Sequence, residues 1–202
     1  VAHAQAQSPA LAEILRGVDA RSITSRAALA QLPVTRKHEL LERQQAARAR
    51  GGDPFGGFSA IVRGPKMRRI YSSPGPIYEP EGTVSDYWRA ARALFAAGFR
   101  AGDLVHNSFS YHMTPGAFIM ESGAHAVGCT VFPAGVGQTE QQLQAVAELK
   151  PDAYMGTPSF LRILVEKAEE TRVDVSCIRK GLVGGEAFPP SLRDWFAARG
   201  MH

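Results

Sequence analysis

Apolar positions along the chain change period part-way. Up to residue 50 the spacing is helical: Leu11, Ile14, Leu15 and Val18 share one face, and Lys37 to Arg50 read as a charged helix anchored by Leu40 and Leu41. GGDPFGG at residues 51–57, with four glycines and a proline, then breaks the chain. Short extended segments are expected at Phe58–Val62 and Arg69–Ser72. From Gly82 onward helices and strands alternate. Thr83 and Asp86 have capping-box spacing ahead of a stripe formed by Val84, Trp88, Ala91 and Phe95, which ends at Gly98. Leu104–His106 is a β run, and Thr114-Pro115 opens a helix that should stop near Gly128. Cys129–Pro133 is the next strand, and Thr139 with Gln142 is a second capping box for a helix to Leu149. Ala153–Met155 is a strand, and Thr157-Pro158 starts a helix whose buried stripe is Leu161, Leu164, Val165 and Ala168. Ile178–Val183 and Pro190–Arg199 supply a last strand and helix.

Strands alternating with helices of this length predict parallel βαβ units with right-handed crossovers. The expected fold class is therefore α/β, a mainly parallel sheet preceded by a helical N-terminal segment. The expected division is a helical segment at residues 1–57 and a parallel α/β portion at residues 58–202. Ligands of such sheets gather beyond the carboxyl ends of the strands. Here those ends carry His106–Tyr111, Pro133–Gly137, Gly156–Ser159 and Gly184–Phe188, all rich in glycine, small hydroxyl residues or aromatics.

Composition changes this picture little. The chain is 45% hydrophobic and 21% charged with a net charge of +4, as expected of an ordinary globular protein. Its basic residues cluster at 36–50 and at 63–69 (RGPKMRR), without interleaved aromatics, so a nucleic-acid partner is not expected. No apolar run reaches the ~20 residues of a membrane span, and the opening residues lack the pattern of a secretory leader. Cys129 and Cys177 border apolar runs and read as small buried thiols of a cytoplasmic protein. His106, His112 and His125 lack metal-ligand spacing, so no metal site is expected on the protein's own side chains.

Several segments, in order, resemble the phenylacetate-CoA ligase family of adenylate-forming enzymes. LPVTRKHEL (Leu32–Leu40), DPFGGF (Asp53–Phe58) and AGFRAGDLVHNSFSYHMTPGAF (Ala97–Phe118) carry the first part of the likeness. GCTVFPAGVGQTEQQ (Gly128–Gln142), KPDAYMGTPSFL (Lys150–Leu161) and GLVGGEAFPPSLR (Gly181–Arg193) carry the rest. The resemblance covers about residues 30 to 199, the N-terminal portion of the family's chain. It implies an ATP-dependent ligase that activates a carboxylic acid as acyl-adenylate and passes it to CoA, with Mg2+ assisting. Small-molecule acid, ATP and CoA are then the partners.

By the same resemblance, Ser72, Ser73 and Gly75 fall in the phosphate loop, which here reads YSSPGPIYEP (Tyr71–Pro80). The family's threonines and lysine have no counterpart there. Each proline removes an amide donor, and Glu79 and Glu81 would sit beside a triphosphate unless they turn away or bind magnesium. A rigid turn without a ligand is the competing reading. Gly184, Gly185 and Glu186 match the segment that lies against adenine and ribose, where glycine permits close approach. Tyr111 matches an acyl-pocket aromatic, or else a half-buried core tyrosine, and His112 replaces a family glycine. Gly156, Thr157 and Pro158 form a turn that borders the same pocket, although capping alone would also account for Thr157. No catalytic residue is singled out. The family's magnesium-positioning acid, ribose-binding aspartate and lid lysine lie beyond His202, so a truncated, inactive piece is expected, with an uncovered sheet edge that favours a homodimer. The alternative is a non-catalytic relative that binds acyl-CoA or a nucleotide.

Overall fold

The computed structural model describes all residues, Val1–His202, as two compact units, Val1–Thr83 and Val84–His202. The glycine-rich stretch at residues 51–57 lies inside the first. That unit opens with α1 (Ala2–Gln7) and α2 (Pro9–Ile14), a 3-10 turn at Ala20–Ser22 and α3 (Arg26–Leu29). The long charged helix appears as α4 (Lys37–Ala49), where the Arg36 N–H donates to Glu39 Oε2 at 2.9 Å. The strand expected at Phe58–Val62 does not form. Ser59 Oγ instead donates to the Ile61 carbonyl at 2.6 Å and accepts from its N–H at 3.1 Å, so a local turn takes up those backbone groups.

The segment expected to be a loop at Tyr71–Pro80 is a β-hairpin. β1 (Met67–Ser73) and β2 (Ile77–Gly82) pair antiparallel, with Tyr71 opposite Glu79 and Ser73 opposite Ile77. Ile70-Tyr71 and Ile77-Tyr78 are good strand residues, and Pro74-Gly75-Pro76 makes the turn between them. Buried Gln44 of α4 fastens the hairpin, donating to the Tyr78 carbonyl at 2.9 Å and accepting from the Tyr78 N–H at 2.8 Å.

The second unit is a parallel sheet with helices on both faces. Its elements are α5 (Ala91–Ala96), β3 (Leu104–Asn107), α6 (Gly116–Val127), β4 (Thr130–Phe132) and α7 (Thr139–Leu149), then β5 (Ala153–Gly156), α8 (Pro158–Thr171), β6 (Lys180–Val183) and α9 (Pro190–Ala197). The strand order is β4-β3-β5-β6, all parallel, with Val105 opposite both Val131 and Ala153. Alternation along β5 separates two cores. Tyr154 packs with Leu143 and Val146 of α7 and Leu161, Leu164, Val165 and Ala168 of α8. Ala153 and Met155 face the other way, toward Val105, Leu94, Phe99 and Ala124.

Local chemistry explains most boundaries. Thr157 accepts from the Phe160 N–H at 3.3 Å and Pro158 occupies the first turn of α8, as its sequence requires. Gly128 ends α6 in the left-handed region at φ 96°. Two expected starts are corrected. The helix placed from Thr83 begins only at Ala91, because Asp86 adopts φ 46° and its carboxylate accepts from the Ala91 N–H at 3.2 Å. Thr114 does not cap α6, whose N-cap position is Pro115. At the amino ends of the strands, Asp152 Oδ2 accepts from the Leu104 N–H at 2.9 Å and Lys180 Nζ meets Asp103 Oδ2 at 2.6 Å. No helix is long and apolar enough to cross a membrane.

Candidate functional site

Two sets of residues carry the expected chemistry, one in each unit. In the first, Ser72, Ser73 and Gly75 sit at the turn end of the β1–β2 hairpin. The Ser73 hydroxyl donates to the Glu79 carboxylate. Farther from the turn, Tyr71 O–H and Arg69 both bond to Glu81 Oε2, Arg69 Nη1 at 3.1 Å. Glu81 is fully buried, and burial followed by its carboxylate pushes the Tyr71 phenol far above its usual range. Ladder bonds and these carboxylates therefore take up donors that a phosphate would need. In this arrangement the Ser73 hydroxyl is engaged by Glu79 and Glu81 is buried beneath Tyr71 and Arg69.

In the second unit the loops after β3, β4, β5 and β6 converge at the carboxyl edge of the sheet. The Gly184 N–H donates to the Gly156 carbonyl at 3.1 Å, which lays the Gly184–Glu186 turn beside Gly156–Pro158. Glu186 Oε2 reaches the Ser159 N–H at 3.4 Å, near the N-terminus of α8. Gly185 and Glu186 are exposed, Thr157 is half-buried, and Gly156 and Pro158 are buried. Tyr111 belongs to the β3–α6 loop. It accepts from Asn107 Nδ2 at 2.8 Å, donates to Glu121 Oε2 at 2.6 Å, and meets Phe118 edge-on at 5.2 Å. Burial, reinforced by Glu121, keeps its phenol protonated well above the usual range. The adjacent His112 is exposed, its backbone N–H donating to Ser110 Oγ at 3.2 Å.

A profile of the AMP-binding enzyme family matches residues 88–202, more than half of the chain, which takes in every helix and strand of the second unit but not the β1–β2 hairpin. The chain belongs to that family. Among curated relatives it is 34% identical over 195 residues to a phenylacetate-coenzyme A ligase of Aromatoleum evansii, covering 91% of this chain and 41% of that protein. It is 32% identical over 177 residues to the Escherichia coli K12 enzyme of the same name, covering 82% of this chain and 38% of that protein. It thus spans about two-fifths of the length of these relatives. The fold agrees with that of 2-hydroxyisobutyryl-CoA ligase, solved in complex with 2-HIB-AMP and CoA. The TM-score is 0.84 over 98% of this chain and 45% of that one, at 23% identity.

The sequence places His106–Tyr111 at a strand end of this fold but does not show what braces it. His106, Asn107 and Ser108 continue the apolar β3 run as three polar residues, all buried. Buried polar groups require partners, and that is the signal that points to them. His106 and Ser108 share Gln142, a residue with the spacing of a helix cap, while Asn107 Nδ2 donates to the Tyr111 hydroxyl and the Ala117 carbonyl. Gln142 Nε2 donates to the carbonyls of Gly135 at 2.9 Å and Gly137 at 2.7 Å, so its Oε1 is left to accept from His106 Nε2 at 2.7 Å. Ser108 Oγ lies 3.4 Å from the same oxygen, and its N–H donates to the Met155 carbonyl at 2.7 Å. The site's floor is thus braced by one amide.

His106 is flanked on the neighbouring strands by Phe132, tilted to it, and Tyr154, nearly parallel to it, and burial draws its pKa below 6.5 despite the hydrogen bond to Gln142. The folded state thus keeps the ring neutral where the unfolded chain already binds a proton. Stability contributed this way is present above about pH 6.5 and declines as pH falls below it, down to the folded pKa. Urea unfolding at a series of pH values should show this decline, and His106→Gln should remove that share of it. Burial also raises the thiols of Cys129 and Cys177, so both remain protonated at neutral pH.

Proposed function

We propose that the full-length protein is an ATP-dependent ligase joining a carboxylic acid to CoA. In the first step a carboxylate oxygen attacks the α-phosphorus of ATP and pyrophosphate leaves. In the second the CoA sulfur attacks the acyl carbon, and the bond to AMP breaks. The observation that carries the reading is the junction of Gly184 with Gly156, which sets two glycine-containing turns side by side at the carboxyl edge of a parallel sheet. The names of the relatives, phenylacetate-coenzyme A ligases, support the same reaction.

In this reading Gly184, Gly185 and Glu186 receive the adenylate, with Glu186 held close to the turn it serves. Gly156, Thr157 and Pro158 line the passage between nucleotide and acid. Tyr111 walls the acyl pocket with its hydroxyl already engaged, and exposed His112 makes the mouth more polar than a glycine would. Ser72, Ser73 and Gly75 would face the outer phosphates once Ser73 leaves Glu79, and magnesium would supply the charge compensation that the hairpin lacks. A cytoplasmic location and a homodimer formed through the sheet edge accompany the reading. Light scattering of the purified chain checks the latter.

Pyrophosphate exchange by the full-length protein, with a panel of aryl and short-chain acids, is the test. Acid-dependent exchange is expected. Gly184→Val should lower it at least ten-fold without unfolding the protein, because a Cβ there meets nothing within 4 Å. The hairpin favours one competing reading, a non-catalytic binder of acyl-CoA or nucleotide, since Ser73 is tied to a carboxylate. No exchange with any acid, together with thermal stabilisation by acyl-CoA, would establish that reading instead.

A further inference from the structure

Asn107 closes β3, Tyr111 follows in the loop, and Ala117 and Glu121 stand one turn apart on α6. Their hydrogen bonds leave only one arrangement of protons. The Ala117 carbonyl can only accept and the Phe109 N–H can only donate. The Asn107 amide is therefore fixed, with Nδ2 on Ala117 at 3.1 Å and Oδ1 on Phe109 at 3.2 Å. That same Nδ2 lies 2.8 Å from the Tyr111 oxygen, which must accept from it. The single proton of the phenol is left for Glu121 Oε2 at 2.6 Å. Phe118 meets the ring edge-on at 5.2 Å, and burial, reinforced by Glu121, keeps the phenol protonated.

Glu121 is half-buried, and none of the chain's ion pairs involves it. A carboxylate without a cation is a costly way to hold a ring in place, since a leucine would pack there without losing hydration. What the carboxylate adds is an acceptor for one proton. We infer that Glu121 is a positioning residue for acid selection: by taking the Tyr111 proton, it leaves the acyl pocket with an aromatic wall that has no hydrogen-bond donor to offer. Given the ligase reading, on which this selectivity rests, an acid with a methyl group against that wall is favoured over its isostere with a hydroxyl, whose lone pairs go unpaired.

Pyrophosphate exchange by the full-length protein, with ortho-, meta- and para-tolylacetate and the matching hydroxyphenylacetates, measures the preference. The wild type should favour methyl over hydroxyl by about ten-fold or more at one ring position at least. Glu121→Leu releases the phenol proton to the substrate and should reduce that preference at least five-fold there, whereas Glu121→Gln still accepts the proton and should keep it. A merely structural role for Glu121 would lower exchange with both acids together. The proton itself is read without turnover, by NMR of full-length protein carrying 13Cζ-tyrosine. The Tyr111 line, assigned by Tyr111→Phe, should shift in Glu121→Leu and far less in Glu121→Gln. An unmoved line would overturn the hydrogen-bond assignment, and a moved line with an unchanged methyl-to-hydroxyl ratio would overturn the role in selection. Exchange with short-chain acids alone would overturn selection among aryl acids. No exchange with any acid would remove the ligase reading itself, the shifted line standing in either case.

Discussion

Gly156→Ala should destabilise the second unit by about 3 kcal/mol, the upper end of what overpacking a core costs. A Cβ at this position would lie 2.2 Å from the Tyr154 hydroxyl oxygen and 2.5 Å from the ring carbon bearing it. The ring curls back over the glycine, with its hydroxyl 3.3 Å from the Thr157 carbonyl, and it is fully buried among Leu143, Val146, Leu161 and Leu164. Moving it means moving the core between α7 and α8. Urea unfolding followed by circular dichroism reads the loss. The cause can be isolated with Tyr154→Leu, which removes the obstructing hydroxyl and part of the ring. In that background the added alanine should cost less than about 1 kcal/mol, a coupling expected of side chains in direct contact. Equal cost in both backgrounds would place the strain elsewhere.

Gln142→Leu should cost about 3 kcal/mol by a different route. The change keeps an apolar body of similar size but strands the His106 N–H and the Gly135 carbonyl, each worth about 1–3 kcal/mol when left buried and unpaired. Gly137 is exposed, so water can replace that bond. Gln142→Glu separates polarity from hydrogen bonding. A carboxylate still accepts from His106 but cannot donate to the two carbonyls, and it draws the His106 pKa upward. The acid-side loss of stability attributed to His106 should then shrink or reverse, which an NMR titration of the ring resolves directly. If His106 titrated identically in both proteins, the assigned brace would not exist.

Much of the sheet was readable in advance because each parallel strand is a short apolar run between helix signals. Ala153–Met155, Thr157-Pro158 and the stripe of Leu161, Leu164, Val165 and Ala168 fall where the structure has them. The errors share a cause. Thr83/Asp86, Thr114-Pro115 and Thr139/Gln142 all have the spacing of helix caps, yet α5 begins only at Ala91, Pro115 rather than Thr114 holds the N-cap position of α6, and Gln142 turns into the core. Spacing reports which residues are able to cap. It says nothing of a stronger partner waiting across the sheet. Of the hairpin, the extended segment at Arg69–Ser72 is legible, but the proline-rich turn hides its partner strand, although Ile77-Tyr78 has the strand character that decides it. Of the candidate site, the Gly156–Ser159 and Gly184–Phe188 turns were legible as strand ends, but the bond that joins them spans 28 residues, from Gly156 to Gly184.

The strand order has a consequence for how the chain is made. β3 sits between β4 and β5, and its residue Val105 pairs with Val131 on one side and with Ala153, 48 positions later, on the other (153 − 105). A ribosome adding about 5–20 residues per second needs roughly 2–10 s to supply that second neighbour. Through that interval Asn107 lacks its place against Met155, Ser108 lacks the Met155 carbonyl, and the turn at Gly156 has not been synthesised. The centre of the sheet is therefore laid down from one side first, and the floor of the candidate site closes only once β5 has been made.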